Sequence, residues 1–189
     1  MSIYNYYTDG ASSMYKDGKN WIKGPGGWSW VLLDEFDNVV AYENGHYNKS
    51  TNNEQELYSV YEALLNFKTC LAATTRFPAI AKLHIDSAYV VNIFNQWRFT
   101  WEANDWKRKG GKMIENLKLI KAIVEVISEI NSAGGKINFI KVDGHNGVKG
   151  NEIADKLAVE GKNNNVVGYT IKMPDWYDFD VVAARQIGR

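Results

Sequence analysis

The hydrophobic pattern changes its period once along this chain, and that change limits the possible folds more than any other feature. Up to about residue 50, apolar and aromatic residues occur in short β-prone runs at 3–9, 28–33 and 39–46. The polar segment 34–38 joins the second run to the third, as in a β-hairpin. Three consecutive antiparallel strands are therefore predicted. The intervening residues 11–27 contain Asp-Gly and Gly-Pro-Gly-Gly, which predict a loop.

The second half of the chain alternates between helical and strand patterns. Thr51 and Glu54 form a capping-box pattern ahead of an apolar stripe that starts at Leu57, which predicts a helix. Ser87 can cap a second helix that runs to about Phe94. A longer amphipathic helix, stopped at Gly134-Gly135, is predicted from the stripe Met113, Leu117, Ile120, Val124 and Ile127. Strands are predicted at 81–86 and 136–142, and a last helix at 151–161.

This order of elements defines the predicted fold class. A strand–helix–strand step implies parallel pairing with a right-handed crossover. The expected fold is α/β, with a five-stranded mixed sheet of three antiparallel strands plus two parallel ones, and helices on both faces. The predicted domain spans residues 1–161, and residues 162–189 form a C-terminal extension that is expected to pack on it. The alternative is that the acidic-aromatic segment of this extension docks a partner.

Composition excludes several classes of protein. The 189 residues carry 22 Lys+Arg and 22 Asp+Glu, so the formal charge is zero and histone-like binding of nucleic acid is disfavoured. The single cysteine, Cys70, excludes an internal disulfide framework and a cysteine-based zinc site. No apolar run reaches the length of a membrane span, and no secretion signal is recognised at the N-terminus. We therefore expect a cytoplasmic monomer without membrane contact.

Four acidic residues lie at the ends of predicted elements or beside apolar stripes. Asp9 ends or lies late in the first strand, and Asp86 ends the fourth, which can be its neighbour in a mixed sheet. Glu56 lies early in the first helix and Asp155 in the last. Such acids are costly to bury together unless a cation offsets their charge. All-oxygen ligation favours Mg²⁺ or Mn²⁺ over zinc. Two such ions about 4 Å apart could hold the attacking and leaving oxygens of a phosphodiester displacement.

Four sequence motifs occur in a recognisable order. They are YTDG at 7–10, TNNEQEL at 51–57, IDS at 85–87 and GHNGVKGNEIADKLA at 144–158. Together they resemble type 1 ribonuclease H, which cuts the RNA strand of RNA–DNA hybrids. The resemblance covers residues 3–161. It implies the ribonuclease H-like fold, a hybrid duplex as partner, two Mg²⁺ ions with substrate (Mn²⁺ as substitute) and an endonuclease that leaves 5′-phosphate products.

The resemblance also implies roles for particular residues. Asp9, Glu56, Asp86 and Asp155 correspond to the metal-binding catalytic set of the family. His145 corresponds to a histidine that assists proton transfer or product departure, and an imidazole near its ordinary pKa suits either role. Glu152 shares a helical face with Asp155 and either tunes a metal site or is a solvated helix acid.

Substrate contacts are implied at two further places. Asn52, Asn53 and Gln55 carry amides suited to 2′-hydroxyl or minor-groove contact. The phosphate pocket and DNA backbone contact of the family would fall on Lys49, Thr51, Asn116 and Trp97. Residues 97–112 fit a basic substrate handle, but they are equally typical of a local hydrophobic cluster. Glu102-Ala103 stand where handle-bearing relatives commonly have lysines.

Two alternative functions belong to other classes. One is a hybrid-binding module of the same fold that has lost its chemistry; the presence of all four carboxylates and His145 disfavours it. The other is a related DNA nuclease, which would share the acids but not the Thr-Asn-Asn and Gly-His-Asn-Gly segments. Residues 11–24 are longer than in compact bacterial relatives, and residues 162–189 match none of the motifs.

Overall fold

The computed structural model describes residues 2–73, 78–164 and 168–171. The five predicted strands and four predicted helices occur in the predicted order within these residues, and one further helix, Arg98–Ala103, was not predicted. The strands are β1 (Ser2–Asp17), β2 (Asn20–Leu33), β3 (Val39–Ser50), β4 (Ala79–Ile85) and β5 (Lys136–Lys141). The helices are α1 (Asn52–Ala73), α2 (Ala88–Asn92), α3 (Arg98–Ala103), α4 (Leu117–Ser132) and α5 (Lys149–Asn164). A π-helical segment, Ile93–Trp97, joins α2 to α3, so the helical stretch after Ser87 is longer than predicted.

The strands form one mixed sheet. Its order is β5-β4-β1-β2-β3-β6, where β6 is the short strand Gly168–Ile171. The β1–β2 and β2–β3 pairs are antiparallel, and β4 is parallel to both β1 and β5. The five-stranded mixed sheet is therefore confirmed. A sixth strand, which the sequence did not predict, pairs antiparallel with β3 from within the C-terminal extension.

The prediction of a loop at residues 11–27 is wrong. β1 and β2 continue through this region as one long hairpin with a two-residue turn at Gly18 and Lys19. The glycines at 26 and 27 serve close packing rather than turning. A Cβ on Gly26 would lie 1.9 Å from Oγ of Ser50, and one on Gly27 would lie 2.2 Å from the carbonyl oxygen of Ala158 in α5. Glycine in a strand thus marks a close approach of other chain segments.

Helices cover both faces of the sheet, as predicted. On one face, Tyr6 of β1 packs edge-on against Trp30 with ring centroids 5.8 Å apart, and its hydroxyl donates a 2.7 Å hydrogen bond to Asn66 of α1. α4 packs behind α1 and buries Ile120, Ile123 and Ile130. On the other face, Ala154 of α5 packs with Val31 and Leu33 of β2. This second core is smaller.

The stripe predicted for the long helix is partly wrong. Met113 precedes α4 and is 85% exposed, whereas the buried face of the helix includes Ile123, Val126 and Ile130. Asn116 takes a left-handed backbone conformation with φ of 58° immediately before α4, so the helix cannot extend back to Met113. Cys70 is buried, as a small core residue would be. No helix in the described ranges is long and apolar enough to cross a membrane.

Candidate active site

The site lies where β1 and β4 pass beneath the first turn of α1. β1 and β4 are parallel neighbours, with Thr8 paired to Ile85, so Asp9 and Asp86 lie at the same level. Asp86 directly follows β4, whereas Asp9 lies midway along β1 rather than at its end. Glu56 reaches this place because α1 begins directly over β1. A Cβ on Gly10 would lie only 2.2 Å from the backbone nitrogen of Glu56, so only glycine allows this approach.

A reciprocal capping box fixes the start of α1. The backbone N–H of Glu54 donates to Oγ1 of Thr51 at 3.2 Å, and the N–H of Thr51 donates to Oε2 of Glu54 at 2.6 Å. The predicted capping box is confirmed. It satisfies two N–H groups that the helix leaves unpaired, and it sets the position of Glu56 two residues further on.

Three of the four predicted acids converge. Asp9, Glu56 and Asp86 each offer a carboxylate oxygen, and these three oxygens lie within 4.8 Å of one another. Asp9 is 6% exposed and Glu56 is 4% exposed. Asp155, on α5, lies outside this trio. It is close enough to Asp9 for a repulsion between the two carboxylates and for a hydrogen bond between their side chains. Asp9 thus neighbours both the Glu56–Asp86 pair and Asp155.

Burial and mutual repulsion raise the pKa values of Asp9 and Glu56. Burial, followed by the charge of Asp86, raises the pKa of Asp9 to about 8, although the N–H of Gly10 opposes this at 2.7 Å. The pKa of Glu56 is also raised well above its ordinary value, mainly by burial and then by Asp9 and Asp86. The ion pairs found in the described parts of the chain join Lys23 to Glu54, Lys68 to Glu129 and Arg98 to Glu102. None of them neutralises the trio.

The donor set fits a hard divalent cation. All the available ligand atoms are carboxylate oxygens, which Mg²⁺ and Mn²⁺ prefer. Oε2 of Glu56 is buried and meets no hydrogen-bond donor among the described residues. A buried carboxylate oxygen without a donor is costly, and a bound cation is the partner that removes the cost.

Sequence reasoning missed one residue that contacts the trio. Asn151, at the start of α5, is 1% exposed, and its side-chain Nδ2 donates to Oδ2 of Asp86 at 3.3 Å. It stands four residues before Asp155 in the same motif. The available signal was therefore an asparagine one helical turn before a predicted ligand.

His145 lies on an exposed loop between β5 and α5. Its backbone has φ of 54°, in the left-handed region, and Gly147 follows with φ of 77°. The loop passes close to the trio, because a Cβ on Gly144 would lie 2.9 Å from Oδ2 of Asp86. The loop therefore carries His145 past Asp86 while its imidazole remains open to solvent. Glu152, in the first turn of α5, is exposed.

The residues predicted to contact substrate at the start of α1 differ in their exposure to solvent. Lys49 and Asn52 are exposed, and Nδ2 of Asn52 lies 3.4 Å from Oε1 of Glu56. Asn53 is half-buried. Gln55 is only 1% exposed, packed against Gly26, so in this conformation it offers almost no surface to a substrate. The exposed amide nearest the trio is thus that of Asn52.

The remaining predicted contacts lie around α2 to α4. Asn116 is half-buried, and its side chain hydrogen-bonds with Tyr89. Trp97 is half-buried between Tyr89, at 6.1 Å between ring centroids, and Trp101, at 5.9 Å. Trp101 is 7% exposed and belongs to the core, which matches the cluster alternative for this tryptophan. Lys121 lies 5.2 Å from the ring centroid of Trp106.

Comparison with known proteins assigns the family. A family model described as RNase H matches residues 2–163. The chain belongs to the RNase H family. The members of this family are hydrolases that cut RNA paired with DNA. A curated relative named Ribonuclease H, from Caldanaerobacter subterraneus subsp. tengcongensis, is 34% identical over 159 residues, covering 84% of this chain and 90% of that protein.

Solved structures support the same fold. LC9-RNase H1, described as a type 1 RNase H with the type 2 active-site motif, has a TM-score of 0.68 and 24% identity, and the match covers 97% of this chain and 85% of that one. LC11-RNase H1 in complex with an RNA/DNA hybrid has a TM-score of 0.57 and 17% identity, covering 85% of this chain and 97% of that one. These structures show the fold, and the family model and the curated relative show the family.

Proposed function

We propose that the protein is a divalent-metal-dependent endoribonuclease that hydrolyses the RNA strand of RNA–DNA hybrids and leaves 5′-phosphate products. The observation that carries the proposal is the convergence of carboxylate oxygens of Asp9 and Glu56, which are buried, and of Asp86, which is half-buried, within 4.8 Å. No cationic side chain of the described residues neutralises them. Membership of the RNase H family supplies the substrate class.

Four carboxylates would hold the cations. Asp9, Glu56 and Asp86 form one set of ligands, and Asp155 beside Asp9 extends it, so Asp9 is suited to serve two Mg²⁺ ions, or Mn²⁺ in their place. When bound, the cations supply positive charge where negative charge develops on the phosphate and on the attacking and leaving oxygens. Asn151 orients Asp86 through the 3.3 Å hydrogen bond.

The other residues bind substrate and handle protons. Thr51, Asn52 and Asn53 lie at the start of α1, over the trio, where amides can reach 2′-hydroxyls and minor-groove edges. The exposed imidazole of His145 is proposed to transfer a proton or to assist departure of the product. Lys49, Thr51, Asn116 and Trp97 are proposed to contact the DNA strand. Gln55 would contribute only after a side-chain rearrangement.

The setting of the enzyme is also a proposal. We infer a monomer that works in the cytoplasm, since a chain with one cysteine forms no internal disulfide, as is usual in a reducing compartment. Size-exclusion chromatography with light scattering tests the oligomeric state. A mass near twice 21.5 kDa would contradict the monomer.

One panel of substrates tests the function. Labelled RNA–DNA hybrid, duplex RNA, duplex DNA and a four-way junction are each incubated with Mg²⁺ or a chelator. Only the hybrid should be cut, only in its RNA strand and only with the metal. Relabelling of the 5′ end of the products that succeeds only after phosphatase treatment identifies the 5′-phosphate.

Variants of the acids complete this test. Asp9→Asn and Asp86→Asn remove a ligand charge with little change of volume and should abolish cleavage while the circular dichroism spectrum is retained. Asp143→Asn, an exposed acid on the neighbouring loop, is the matched control and should keep its activity. Hybrid binding without cleavage by the unmodified protein would indicate a silent module, and cutting of a DNA substrate would indicate a DNA nuclease.

A further inference from the structure

The β1–β2 hairpin extends well beyond the site. β1 runs on for eight residues after Asp9, to Asp17, before the chain turns into β2 at Asn20. Every side chain from residue 14 to residue 23 is exposed. The exposed set includes large apolar residues: Trp21 is 63% exposed, Tyr15 55%, Met14 45% and Ile22 43%. An exposed group of this kind commonly marks a contact surface.

The two faces of the hairpin differ in chemistry. Residues that pair across antiparallel strands point to the same face, and the faces alternate along each strand. One face, which we call the basic hairpin face, consists of the pairs Met14–Lys23 and Lys16–Trp21. The ammonium group of Lys16 lies 5.9 Å from the centroid of the Trp21 ring. The opposite face carries the pairs Tyr15–Ile22 and Asp17–Asn20.

The basic hairpin face is joined to the start of α1. Nζ of Lys23 bonds to both carboxylate oxygens of Glu54, at 2.8 and 2.9 Å. Glu54 in turn closes the capping box with Thr51, in the segment proposed to contact the hybrid. The face therefore continues a surface that already begins at the catalytic trio.

Unpaired positive charge is present at the far end of the hairpin. Glu54 neutralises Lys23, but neither Lys16 nor Lys19 takes part in an ion pair within the described ranges. The single nearby acid of the hairpin, Asp17, lies on the opposite face from Lys16. A cation beside an exposed indole suits a sugar–phosphate backbone, because the ammonium pairs with phosphate and the ring packs on the apolar side of the sugar.

We propose that the basic hairpin face, with Lys16 and Trp21 as its main contacts, is a second binding surface for the backbone of the hybrid duplex. This inference rests on the proposed function and extends it to a remote part of the substrate. Lys16 lies seven residues beyond Asp9 on β1, a span of about 23 Å at about 3.3 Å per residue. At about 3.4 Å per nucleotide, this span corresponds to about seven base pairs from the cleaved bond.

The length of the hybrid provides the test. Steady-state cleavage is measured at the central bond of hybrids of about 8 and about 24 base pairs. The shorter hybrid then extends only about 4 base pairs beyond the cleaved bond, so only the longer one reaches Lys16. For Trp21→Ala we expect KM on the longer hybrid to rise about tenfold, and for Lys16→Gln about threefold, with kcat unchanged. KM on the shorter hybrid should not change. Lys16→Gln should also reduce the slope of log KM against log salt on the longer hybrid by about 0.9.

Two controls match the variants. Ile22→Ala removes an apolar side chain from the opposite face of the same hairpin, and Lys136→Gln removes an exposed charge at the start of β5, at the far end of the sheet from Asp9. Both should behave as the unmodified protein. Thermal melting of each variant verifies that the hairpin changes leave the fold intact.

The possible outcomes separate the two proposals. If the unmodified protein cuts both hybrids but KM on the longer one is unchanged in Trp21→Ala and Lys16→Gln, the hairpin contact is overturned and the proposed function stands. An equal change on both lengths overturns it as well. Self-association that Trp21→Ala abolishes, with unchanged KM, would assign the face to a second copy of the chain. If neither hybrid is cut, the proposed function fails and this inference fails with it.

Discussion

The side-chain amide of Asn151 donates to Oδ2 of Asp86 over 3.3 Å, which links the first turn of α5 to the end of β4. Asn151 is 1% exposed, so its side chain has little freedom to move away. This bond selects one orientation of a half-buried carboxylate whose neighbours, Asp9 and Glu56, are also acids. Without it, Asp86 would turn away from these like charges more readily.

Asn151→Ala should weaken metal binding more than it slows the chemistry. Loss of a residue that orients a ligand typically costs about 10–100-fold in metal affinity, so the Mg²⁺ concentration for half-maximal activity should rise by about that factor. Titration of the cleavage rate with Mg²⁺ measures the effect. Asn163→Ala, an exposed asparagine of the same helix, should leave the titration unchanged. An unaltered Mg²⁺ requirement in Asn151→Ala would contradict the orienting role.

The metal-free protein should become less stable as the pH rises from about 4 to about 8. The pKa of Asp9 is about 8 in the folded state, against an ordinary value of 3.8, so between these values the folded state binds more protons than the unfolded state. The free energy of unfolding then falls with rising pH, by an amount on the order of 5 kcal/mol because each pKa unit corresponds to about 1.4 kcal/mol. Glu56 acts in the same direction.

Urea unfolding in the presence of a chelator, at pH values from about 5 to about 8, measures this dependence. Asp9→Asn should flatten the curve, whereas Asp143→Asn should keep its slope. Saturating Mg²⁺ should restore stability to the unmodified protein at pH about 8, since a ligand that binds only the folded state stabilises it. Metal-free stability that rises over this pH range would be incompatible with the raised pKa of Asp9.

Gly10→Ala should destabilise the fold and impair activity together. The added Cβ would lie 2.2 Å from the backbone nitrogen of Glu56 and 2.5 Å from the carbonyl carbon of Gln55, so the start of α1 must shift away from β1. Overpacking of this kind costs about 3 kcal/mol, measured by urea unfolding, and the shift carries Glu56 away from Asp9. Gly110→Asn is the control, because Gly110 has φ of 80° and open space around its Cα. Equal stability of Gly10→Ala and the unmodified protein would refute the close approach.

His145→Ala should lower kcat by about 100-fold with little change in KM, as expected for loss of a group that transfers protons. The loop residue Asn146 is also exposed, so Asn146→Ala tests whether the loop or the imidazole matters. Rapid-quench and steady-state measurements distinguish a slower chemical step from slower product release. Should both variants lose the same activity, the effect belongs to the conformation of the loop rather than to His145.

Local patterns in the sequence were sufficient to predict most elements. The capping box of Thr51 and Glu54, the cap at Ser87 and the stop at Gly134 each depend on residues three or four positions apart, and the structure confirms their positions. The wrong predictions occurred where packing against a segment distant in sequence determined the local structure. The glycines at 24–27 predict a turn locally, but they lie in β2 because Ser50 and α5 pack directly against that strand.

The structure describes only part of the C-terminal extension, residues 162–164 and 168–171. β6 pairs with β3 through Gly168–Ile171. The acidic-aromatic segment predicted to pack on the domain, residues 174–180, lies outside the described residues. Packing of the whole extension therefore stays a prediction.

The sequence by itself determined the order of the strands and helices and the location of Asp9, Glu56, Asp86 and Asp155 on them, because hydrophobic period and helix capping act over a few residues. Only the tertiary structure decided that three of these acids share one buried space, that Asn151 holds Asp86, and that Gln55 is packed away from the surface. Only the tertiary structure likewise decided that residues 11–27 form a hairpin in which Lys16 pairs with Trp21. Each of these features depends on which segments pack against one another, and that choice is made by contacts between residues far apart in the chain.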